Sequence, residues 1–409
     1  MARVLLIKCS YLTESNFQIP FPMGIMYLAG SMRKDGHDVR IIDIRLERDG
    51  IQGVIRSARD FSPDVVGLSA LTIEAESLHS TAKAIKEALH DVPVIVGGPH
   101  PSAFTEDVLS DPAIDYAVLG EGEETARELV NAIEDGTKTE NIAGIAYTRD
   151  KSIVFTERRP QITDLDSVPY PSWDLVDIEK YFGEKSHSPL GERRYMILFT
   201  SRGCPYRCIY CHNIFEKGFR TRSPEGLLDE MEEIHKRYGI VEFDVEDDTF
   251  NLDVKRAHKI FDLIIKNGCK FKMSFPNGLR SDRLDEELLK KMKAAEVNHI
   301  SISVESASQR IQKLIRKNLD LNRVTKAIDD CHRLNIFIRG CFMLGFPTET
   351  EDEVMETINY ALGSRLHMAL FFIVVPFKGT ELYRMVRGKL KETPDFVDYD
   401  YIKWPYNIS

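Results

Sequence analysis

The hydrophobic and polar positions in the first third of the chain form two alternating patterns. Short apolar runs, which are typical of buried parallel strands, recur at RVLLIKC, DVRIIDI, DVVGLSA, PVIVGG and YAVLG. The segments between them carry apolar residues at helical spacing, as in EAESLHSTAKAIKEAL and EGEETARELVNAIEDG. The alternation predicts a doubly wound α/β domain with five strands over residues 1–136.

A second series of strand and helix patterns begins at Tyr195. Apolar runs recur at YMILFTSRG, IVEFDVED, FKMSFPNG, NHISISVES, IFIRGCFMLGFP and MALFFIVVP, with helical patterns such as PEGLLDEMEEIHKRYG between them. Six consecutive strand–helix units predict a partial (βα)6 barrel of the TIM type over residues 195–385. In both kinds of sheet, ligands bind at the carboxyl ends of the strands, so we expect the functional residues there.

Two stretches fall outside this alternation. Residues 137–194 combine a predicted hairpin that turns at Asp150 with the proline-punctuated connector LDSVPYPSWDL, and we interpret them as a linker. Residues 386–409 form a C-terminal extension. Its aromatic side chains are expected to pack on the barrel rather than to cap a site: Phe396, Tyr399, Tyr401, Trp404 and Tyr406.

Charge and cysteine content narrow the possible partners. A formal net charge of −10 argues against nucleic acid as the main partner, because phosphate binding relies on a surplus of Lys and Arg. No apolar run approaches the ~20 residues that a membrane span needs. The seven cysteines are odd in number, and four of them lie at unpatterned positions: Cys9, Cys269, Cys331 and Cys341. We therefore expect a cytoplasmic protein rather than a secreted disulfide framework.

The other three cysteines, Cys204, Cys208 and Cys211, follow the first predicted barrel strand in the segment CPYRCIYC. Thiolates are soft ligands that suit zinc or an iron–sulfur cluster. A structural zinc site needs four ligands, and the nearest fourth candidate, His212, is poorly placed beside Cys211. Three thiolates can hold three irons of a [4Fe–4S] cluster and leave the fourth iron open. The spacing favours a cluster over zinc and over three unrelated buried cysteines.

The segment CPYRCIYC, with the aromatic Tyr210 before its third cysteine, resembles the CxxxCxΦC signature of radical S-adenosylmethionine (SAM) enzymes, whose fold is the six-unit barrel. The resemblance implies that SAM chelates the open iron and that Tyr210 lies against the adenine. It also implies an external electron donor such as a flavodoxin or ferredoxin. Further SAM contacts are implied at later strand ends, with the choice within EDDTF left open: Asp247, Asp248 or Thr249, and then Ser303, Glu305, Arg339, Gly345 and Val375.

Two strand ends of the first domain resemble the Rossmann-like cobalamin-binding domain of corrinoid methyltransferases. SALT matches the Ser-x-Leu of that family and GGPHPS matches its Gly-Gly, where small residues let a long nucleotide tail pass beside the sheet. LGEGEE also recurs in the cobalamin-dependent radical SAM subgroup. The implied cobalamin contacts are Ser69, Leu71, Thr72, Gly97, Gly98, His100, Gly120, Glu121 and Gly122.

The first domain departs from the corrinoid family at one point. The segment CSYLTESNFQIPFPMG lacks the histidine that binds cobalt from below in that family. Cys9 and Glu14 are conceivable substitutes, but Cys9 closes a strand and is more typical of a strand core, and His37 lies in the turn before the second predicted strand. We therefore assign no cobalt ligand.

Together the resemblances imply a cobalamin-dependent radical SAM enzyme. In this family a 5′-deoxyadenosyl radical, made from SAM, removes hydrogen from an unactivated carbon. In its methyltransferases the carbon radical takes the methyl group of methylcobalamin, which a second SAM restores. Methyl transfer to a small molecule or natural-product intermediate is the expected reaction, with no catalytic residue assigned beyond the cofactor ligands. The alternatives are cyclisation or rearrangement without methylation, a cobalamin sensor or carrier, and methylthio transfer, which needs three N-terminal cysteines where this chain has Cys9 alone.

Overall fold

Residues 1–10, 19–182, 189, 194–211, 214–268 and 270–390 are described by a computed structural model of the chain. The chain folds as two units. The first unit comprises Met1–Thr163 and Ser167–Lys185, and the second comprises Asp164–Asp166 and Ser186–Ser409. The expected packing of the aromatic side chains after residue 390 falls outside the described residues.

A seven-stranded sheet forms the centre of the first unit, with the strand order β2-β1-β3-β4-β5-β6-β7. Its strands are β1 (Arg3–Lys8), β2 (Asp38–Asp43), β3 (Val65–Ser69), β4 (Val94–Gly97), β5 (Tyr116–Val118), β6 (Ile145–Arg149) and β7 (Ser152–Phe155). The described α-helices of this unit are α1 (Met23–Lys34), α2 (Gly50–Phe61), α3 (Ala75–Ala88), α4 (Pro99–Ala103), α5 (Thr105–Leu109), α6 (Glu123–Glu134) and α7 (Glu179–Phe182).

The five strands β1–β5 are parallel and coincide with the five apolar runs of the sequence. Val4, Leu5 and Ile7 of β1 are fully buried, because β1 lies inside the sheet with helices on both faces. One face packs against α1 and α6, whose apolar stripes include Ala29 and Leu129. The strand order reverses between β1 and β3, which brings the carboxyl ends of these strands to the point where doubly wound sheets bind ligands.

The hairpin of β6 and β7 corrects one interpretation of the sequence. Its turn lies at the expected place, with positive φ at Asp150 and Lys151, but the hairpin is not part of a linker. It extends the first sheet in the antiparallel direction, and Ile145 and Tyr147 of β6 are buried in the core beside β5. The added strands cover the edge that β5 would otherwise expose, so the sheet has seven strands instead of five.

Six parallel strands form the barrel sheet of the second unit, in the chain order β8-β11-β12-β13-β14-β15. The strands of this unit are β8 (Met196–Leu198), β9 (Ser201–Arg202), β10 (Arg220–Thr221), β11 (Glu242–Val245), β12 (Lys272–Leu279), β13 (His299–Glu305), β14 (Phe337–Leu344) and β15 (Met368–Ile373). Its described α-helices are α8 (Pro224–Tyr238), α9 (Val254–Asn267), α10 (Glu286–Ala294), α11 (Gln309–Leu314), α12 (Leu321–Arg333), α13 (Glu351–Gly363) and α14 (Glu381–Val386).

Each barrel strand is followed by a helix, as the sequence pattern predicts, and several helices begin at a side-chain cap. Asp253, Asp285, Asp320 and Thr350 each accept a backbone N–H of the first helical turn. These caps fix where the loops at the carboxyl ends of the strands stop. Within the described ranges, no helix has the length and apolar character that crossing a membrane requires.

Candidate functional site

The three clustered cysteines lie between β9 and β10, directly after the first strand of the barrel. The two short strands pair antiparallel and so hold together the two ends of the cysteine segment. Gly203, next to Cys204, has φ +83°, and a Cβ at this position would collide with the carbonyl oxygen of Gly218. Only glycine fits this turn, which sets the direction in which the segment leaves β9.

The middle of the cysteine segment is anchored by backbone hydrogen bonds. The N–H of Ile209 donates to the carbonyl of Ile315 over 3.2 Å, and the carbonyl of Ile209 accepts the N–H of Leu382 over 2.9 Å. Ile209 is buried in an apolar cluster with these two residues. The side chains of Cys208 and Cys211, on either side of Ile209 and Tyr210, are partly exposed.

The three thiols influence one another electrostatically. Burial raises the pKa of Cys208, and burial raises the pKa of Cys211 to about 12, with the neighbouring cysteine sulfurs adding to both effects. Iron binding offsets this cost because the metal takes the deprotonated thiolate. Among the described residues, no three His, Cys, Asp or Glu side chains converge tightly enough to hold a single metal ion. A [4Fe–4S] cluster does not need such convergence, since each thiolate binds a different iron.

The EDDTF segment after β11 approaches the cysteine segment, and its three candidate residues have different surroundings. The buried carboxylate of Asp247 accepts the N–H and hydroxyl of Thr200 and the hydroxyl of Ser201, each over 2.6 Å. Burial raises the pKa of Asp247, while nearby Arg256 and these donors oppose the rise. The carboxylate of Asp247 therefore holds the end of β8.

Asp248 and Thr249 lie closer to the cysteines. Asp248 accepts the N–H of Gly203 over 3.2 Å, and the hydroxyl of Thr249 donates to the sulfur of Cys204 over 3.3 Å. The sequence left the choice among these three residues open. Asp248 and Thr249 are therefore the members of the segment that contact the start of the cysteine segment.

A buried polar triad joins Tyr210 to the carboxyl end of β13. The hydroxyl of Tyr210 donates to Glu305 over 3.1 Å, and Lys317 donates to the same carboxylate oxygen over 2.7 Å. Glu305 has φ +67° and is 6% exposed. Burial raises the pKa of Tyr210 well above its usual range, and the charge of Glu305 adds to this effect. Tyr210 is thus a neutral ring held in one position beside the cysteines.

Arg339 is buried between neighbouring strands. Its guanidinium donates to the hydroxyl of Ser301 over 2.8 Å and to the carbonyl of Pro276 over 2.7 Å. Ser303, on the same face of β13 as Ser301, lies against Gly278 of β12. In the register of β13 with β14, Arg339 is level with Ser301, Ser303 is level with Cys341, and Glu305 is level with Phe342 at the carboxyl end.

The turn after β14 contains Gly345, which has φ +89° and open space where a Cβ would lie. The carboxylate of Glu349 accepts the N–H groups of Gly345 and Phe346 over 2.7 and 3.0 Å and so fixes this turn. The ring of Phe346 lies 5.9 Å from that of Tyr210. Val375, the last candidate, is 2% exposed and follows the end of β15.

In the first unit, the carboxyl ends of β3 and β4 place the SALT and GGPHPS segments side by side. Gly98 has φ +100° and ψ −172°, and a Cβ there would lie 3.0 Å from the carbonyl oxygen of Ala70 and 3.3 Å from the hydroxyl of Ser69. Leu71 is 43% exposed, which is unusual for a leucine beside a sheet. Thr72 begins the short turn that leads into α3.

The other candidates of the first unit differ in their exposure. Gly97 is partly exposed, whereas His100 is fully buried with its ring 5.0 Å from that of Phe104. In the LGEGEE segment, Gly120 has φ +75° with open space where a Cβ would lie. Gly122, at the start of α6, lies close to the side chain of Leu28 on α1. Glu121 accepts the N–H of Ile162 over 3.0 Å.

Two of the side chains considered as cobalt ligands, those of Cys9 and His37, are buried, and Glu14 lies outside the described residues. Cys9 is fully buried, and burial raises the pKa of its thiol to about 12. His37 accepts the N–H of Ala2 through Nδ1 over 3.1 Å and lies 2.6 Å from Asn131 through Nε2. Ala2 precedes β1, so His37 lies at the amino ends of the strands, opposite the rim.

Comparison with known families assigns both halves of the chain. The sequence matches the B12 binding domain over residues 12–130 and the Radical SAM superfamily over residues 198–361. The uncharacterized methyltransferase PH0819 of Pyrococcus horikoshii is 34% identical over 365 residues, which cover 88% of this chain and 77% of that protein. The chain belongs to the cobalamin-dependent radical SAM enzymes.

Two further similarities show the range of proteins that share this organisation. The anaerobic magnesium-protoporphyrin IX monomethyl ester cyclase of Cereibacter sphaeroides is 28% identical over 93% of this chain and 62% of its own length. The radical SAM methyltransferase TsrM of Kitasatospora setae, solved with tryptophan substrate and a SAM analogue, shares the fold with a TM-score of 0.74. It is 19% identical, and the match covers 91% of this chain and 73% of TsrM.

The cofactors of this cobalamin-dependent radical SAM enzyme are a [4Fe–4S] cluster, SAM and cobalamin, and the described residues fit each of them. The three clustered thiols suit an iron–sulfur cluster, and the polar groups around Tyr210 and at the ends of β13 and β14 suit SAM. The rim of the first unit offers exposed Leu71 and open glycine backbone at Gly120, which suit a large planar ligand with a long tail.

Three polar residues that the sequence patterns did not single out lie at the candidate sites of the two units. Lys317 binds Glu305 beside Tyr210, Glu349 fixes the Gly345 turn, and Glu74 lies at the rim of the first unit. Glu349 follows the GFPT turn four residues after Gly345, and this position at a helix start was the signal available for it. Lys317 had no such signal, since it is one of several basic residues in QKLIRKN.

Proposed function

We propose that this chain is a methyltransferase that adds the methyl group of methylcobalamin to an unactivated carbon of a small molecule. The observation that carries the proposal is the presence of both cofactor domains together with 34% identity to a protein named as a methyltransferase. When bound, the cofactors supply the reductive cleavage of SAM to a 5′-deoxyadenosyl radical and a methyl group on cobalt. The chain's own residues bind and orient these cofactors and shield the site from water.

Different residues of the barrel are proposed to hold the cluster and the adenine of SAM. Cys204, Cys208 and Cys211 hold the cluster, and Thr249 donates its hydroxyl proton toward the Cys204 sulfur. Tyr210 is kept neutral and in place by Glu305, so that its ring offers a fixed apolar face to the adenine.

The strand ends beyond this triad supply the remaining proposed SAM contacts. Ser303 and Arg339 present polar groups to the ribose and methionine portions, and Arg339 is pre-oriented by Ser301. Gly345 and Val375 present backbone and apolar surface at the last strands. Such positioning limits the freedom of SAM before the reaction and keeps water out of the site.

In the first unit we propose that cobalamin lies on the rim. Ser69, Leu71 and Thr72 contact it from the end of β3. The remaining proposed contacts follow β4 and β5: Gly97, Gly98, His100, Gly120, Glu121 and Gly122. The four glycines among these residues let the ligand approach the backbone, which a side chain would prevent.

A non-methylating reaction is the second candidate, because the cyclase of Cereibacter sphaeroides is similar over 93% of this chain. Methylthio transfer is disfavoured by a specific observation. Cys9 is the only cysteine before residue 204, and it is fully buried. The first unit therefore lacks the three thiolates that a second cluster would need.

We further propose the partners that this chemistry requires. Reductive cleavage of SAM needs an electron from outside, and a flavodoxin or ferredoxin fits that role. The net charge of −10 favours a small-molecule substrate over nucleic acid. None of the cysteines that the structure describes forms a disulfide, and their unpatterned spacing favours the cytoplasm.

One experiment separates methyl transfer from its rivals without knowledge of the substrate. The anaerobically reconstituted protein is incubated with hydroxocobalamin, a strong chemical reductant and SAM carrying a CD3 methyl group. A methyltransferase must restore its methylcobalamin from SAM, so we expect CD3-cobalamin and S-adenosylhomocysteine in equal amounts. Formation of 5′-deoxyadenosine without either product would reject methyl transfer and favour the non-methylating reaction.

A further inference from the structure

A buried pair of opposite charges, Lys8 and Glu74, lies at the carboxyl ends of the central strands of the first unit. The side chain of Lys8 is 12% exposed and that of Glu74 is 4% exposed, and they form a direct ion pair. Lys8 is the last residue of β1 and is level with Asp43 of β2 and Ser69 of β3. The pair therefore lies where the strand order of the sheet reverses.

Glu74 connects this pair to the loop that follows β3. The same carboxylate oxygen that binds Lys8 also accepts the N–H of Leu71 over 2.7 Å. Lys8 in turn donates to the carbonyl of Cys9 over 3.3 Å. The backbone of Leu71 is thus tied through two side chains to the end of β1, although the Leu71 side chain itself is 43% exposed.

A second ion pair, between Asp43 and Arg45, lies at the end of the neighbouring strand β2. Asp43 accepts the Nε–H of Arg45 over 2.8 Å and the hydroxyl of Tyr181 over 2.9 Å. Both pairs are buried, and a buried ion pair is often no more stable than an apolar pair of similar size. Stability alone therefore gives little reason to place Lys8 and Glu74 at this position, whereas a need to fix the loop of residues 69–72 gives one.

We infer that Lys8 and Glu74 are positioning residues that hold the backbone of Leu71 in the conformation that binds cobalamin. They act through Leu71 and do not themselves contact the cofactor. This inference rests on the proposed function, because it takes the loop of residues 69–72 as part of the cobalamin site. It adds the prediction that the affinity for cobalamin depends on a hydrogen bond at a residue outside that loop.

The chain offers a matched control at the other end of the same sheet. Asp115 accepts the N–H of Val94 over 2.7 Å and binds Lys86 over 2.7 Å, so it has the same two kinds of partner as Glu74. Asp115 and Val94 lie at the amino ends of β5 and β4, away from the rim. The side chain of Asp115 is 36% exposed against 4% for Glu74, so loss of this carboxylate should lower stability less and should leave the rim undisturbed.

The test measures hydroxocobalamin affinity by equilibrium dialysis for wild type, Glu74→Ala, Glu74→Gln and Asp115→Ala, each corrected for the folded fraction. We expect roughly tenfold weaker binding for Glu74→Ala, the effect of losing one hydrogen bond to a charged group. Glu74→Gln keeps an oxygen that accepts the Leu71 N–H, so its affinity should recover most of the loss. Asp115→Ala should bind as wild type does.

Amide hydrogen exchange provides the readout that a general loss of stability would not reproduce. The Leu71 N–H should exchange faster in Glu74→Ala while the core amides of β1 are unchanged. If Glu74→Ala does not fold, Lys8→Met tests the same connection from its other end and should weaken binding in the same direction.

The outcomes separate this inference from the proposed function. Wild-type affinity in folded Glu74→Ala, or an equal loss in Asp115→Ala, would overturn the positioning role while cobalamin binding stands. Absence of cobalamin binding by wild type would overturn the proposed function of the first unit, and the inference with it.

Discussion

The hydroxyl group of Thr249 lies 3.3 Å from the sulfur of Cys204 and donates a hydrogen bond toward it. The same hydroxyl is 2.6 Å from the carbonyl oxygen of Asp248, so its proton is shared between two acceptors. Hydrogen bonds to the sulfurs of an iron–sulfur cluster raise its reduction potential, because they stabilise the more negative reduced state. This contact links the segment after β11 to Cys204, one of the three proposed cluster ligands.

Replacement of Thr249 by valine removes the hydroxyl at nearly constant volume and should lower the reduction potential of the cluster. Thr249→Ser keeps the hydroxyl and serves as the control. The measurement is an anaerobic redox titration followed by electron paramagnetic resonance. Equal potentials in Thr249→Val and wild type would show that the hydroxyl acts only on the Asp248 carbonyl.

Serine at Cys204, Cys208 or Cys211 should abolish SAM cleavage and lower the iron content well below the four irons per chain of a single [4Fe–4S] cluster. Cobalamin stoichiometry should remain near that of wild type, since the two cofactors bind to different domains. Cys331→Ala is the control, because Cys331 is a buried free cysteine on α12. A serine variant that keeps full iron content and SAM cleavage contradicts the assignment of that ligand.

The two glycines after β4 should respond differently to substitution. Gly98 occupies a backbone conformation that is essentially restricted to glycine, so Gly98→Ala should lower the free energy of unfolding by about 1–3 kcal/mol. At Gly97 the nearest atom to an added Cβ would be 3.8 Å away, so Gly97→Val should fold. Weaker cobalamin binding by folded Gly97→Val supports close passage of the ligand. Unchanged binding would restrict the role of Gly97 to the turn.

Bound cobalamin should lack an imidazole or benzimidazole ligand on its lower face. His37 is engaged by Ala2 and Asn131 at the opposite end of the strands, and His100 is buried against Phe104. The electron paramagnetic resonance spectrum of the cob(II)alamin form should therefore show no nitrogen superhyperfine splitting. A clear splitting would mean that a nitrogen ligand binds cobalt after all.

The sequence predicted the parts of the fold that depend on local pattern. The five apolar runs of the first domain and the six of the barrel are parallel strands in the structure, because buried strands need continuous apolar residues. The hairpin at Asp150 was recognised from its turn, but its place in the first sheet was missed. That place depends on pairing with β5 across the chain, which no local pattern encodes.

The same distinction holds for the candidate site. The spacing of Cys204, Cys208 and Cys211 is local, and it indicated a cluster from the sequence alone. Lys317 and Glu74 could not be found in that way. Their roles depend on contacts with Glu305 at the end of β13 and Lys8 at the end of β1, and only the fold shows these contacts. The choice among Asp247, Asp248 and Thr249 also needed the structure. Only the distances show that Asp247 binds Thr200, whereas Thr249 contacts the sulfur of Cys204.

The most direct test of the account is the formation of 5′-deoxyadenosine from SAM by the reconstituted protein that holds both cobalamin and its cluster. With a chemical reductant, wild type should form 5′-deoxyadenosine, and the Cys204→Ser, Cys208→Ser and Cys211→Ser variants should form none. The account predicts this result even without the natural substrate, through uncoupled cleavage. Failure of the fully loaded wild type to cleave SAM, or equal cleavage by the three variants, would contradict the central claim that these cysteines support radical SAM chemistry.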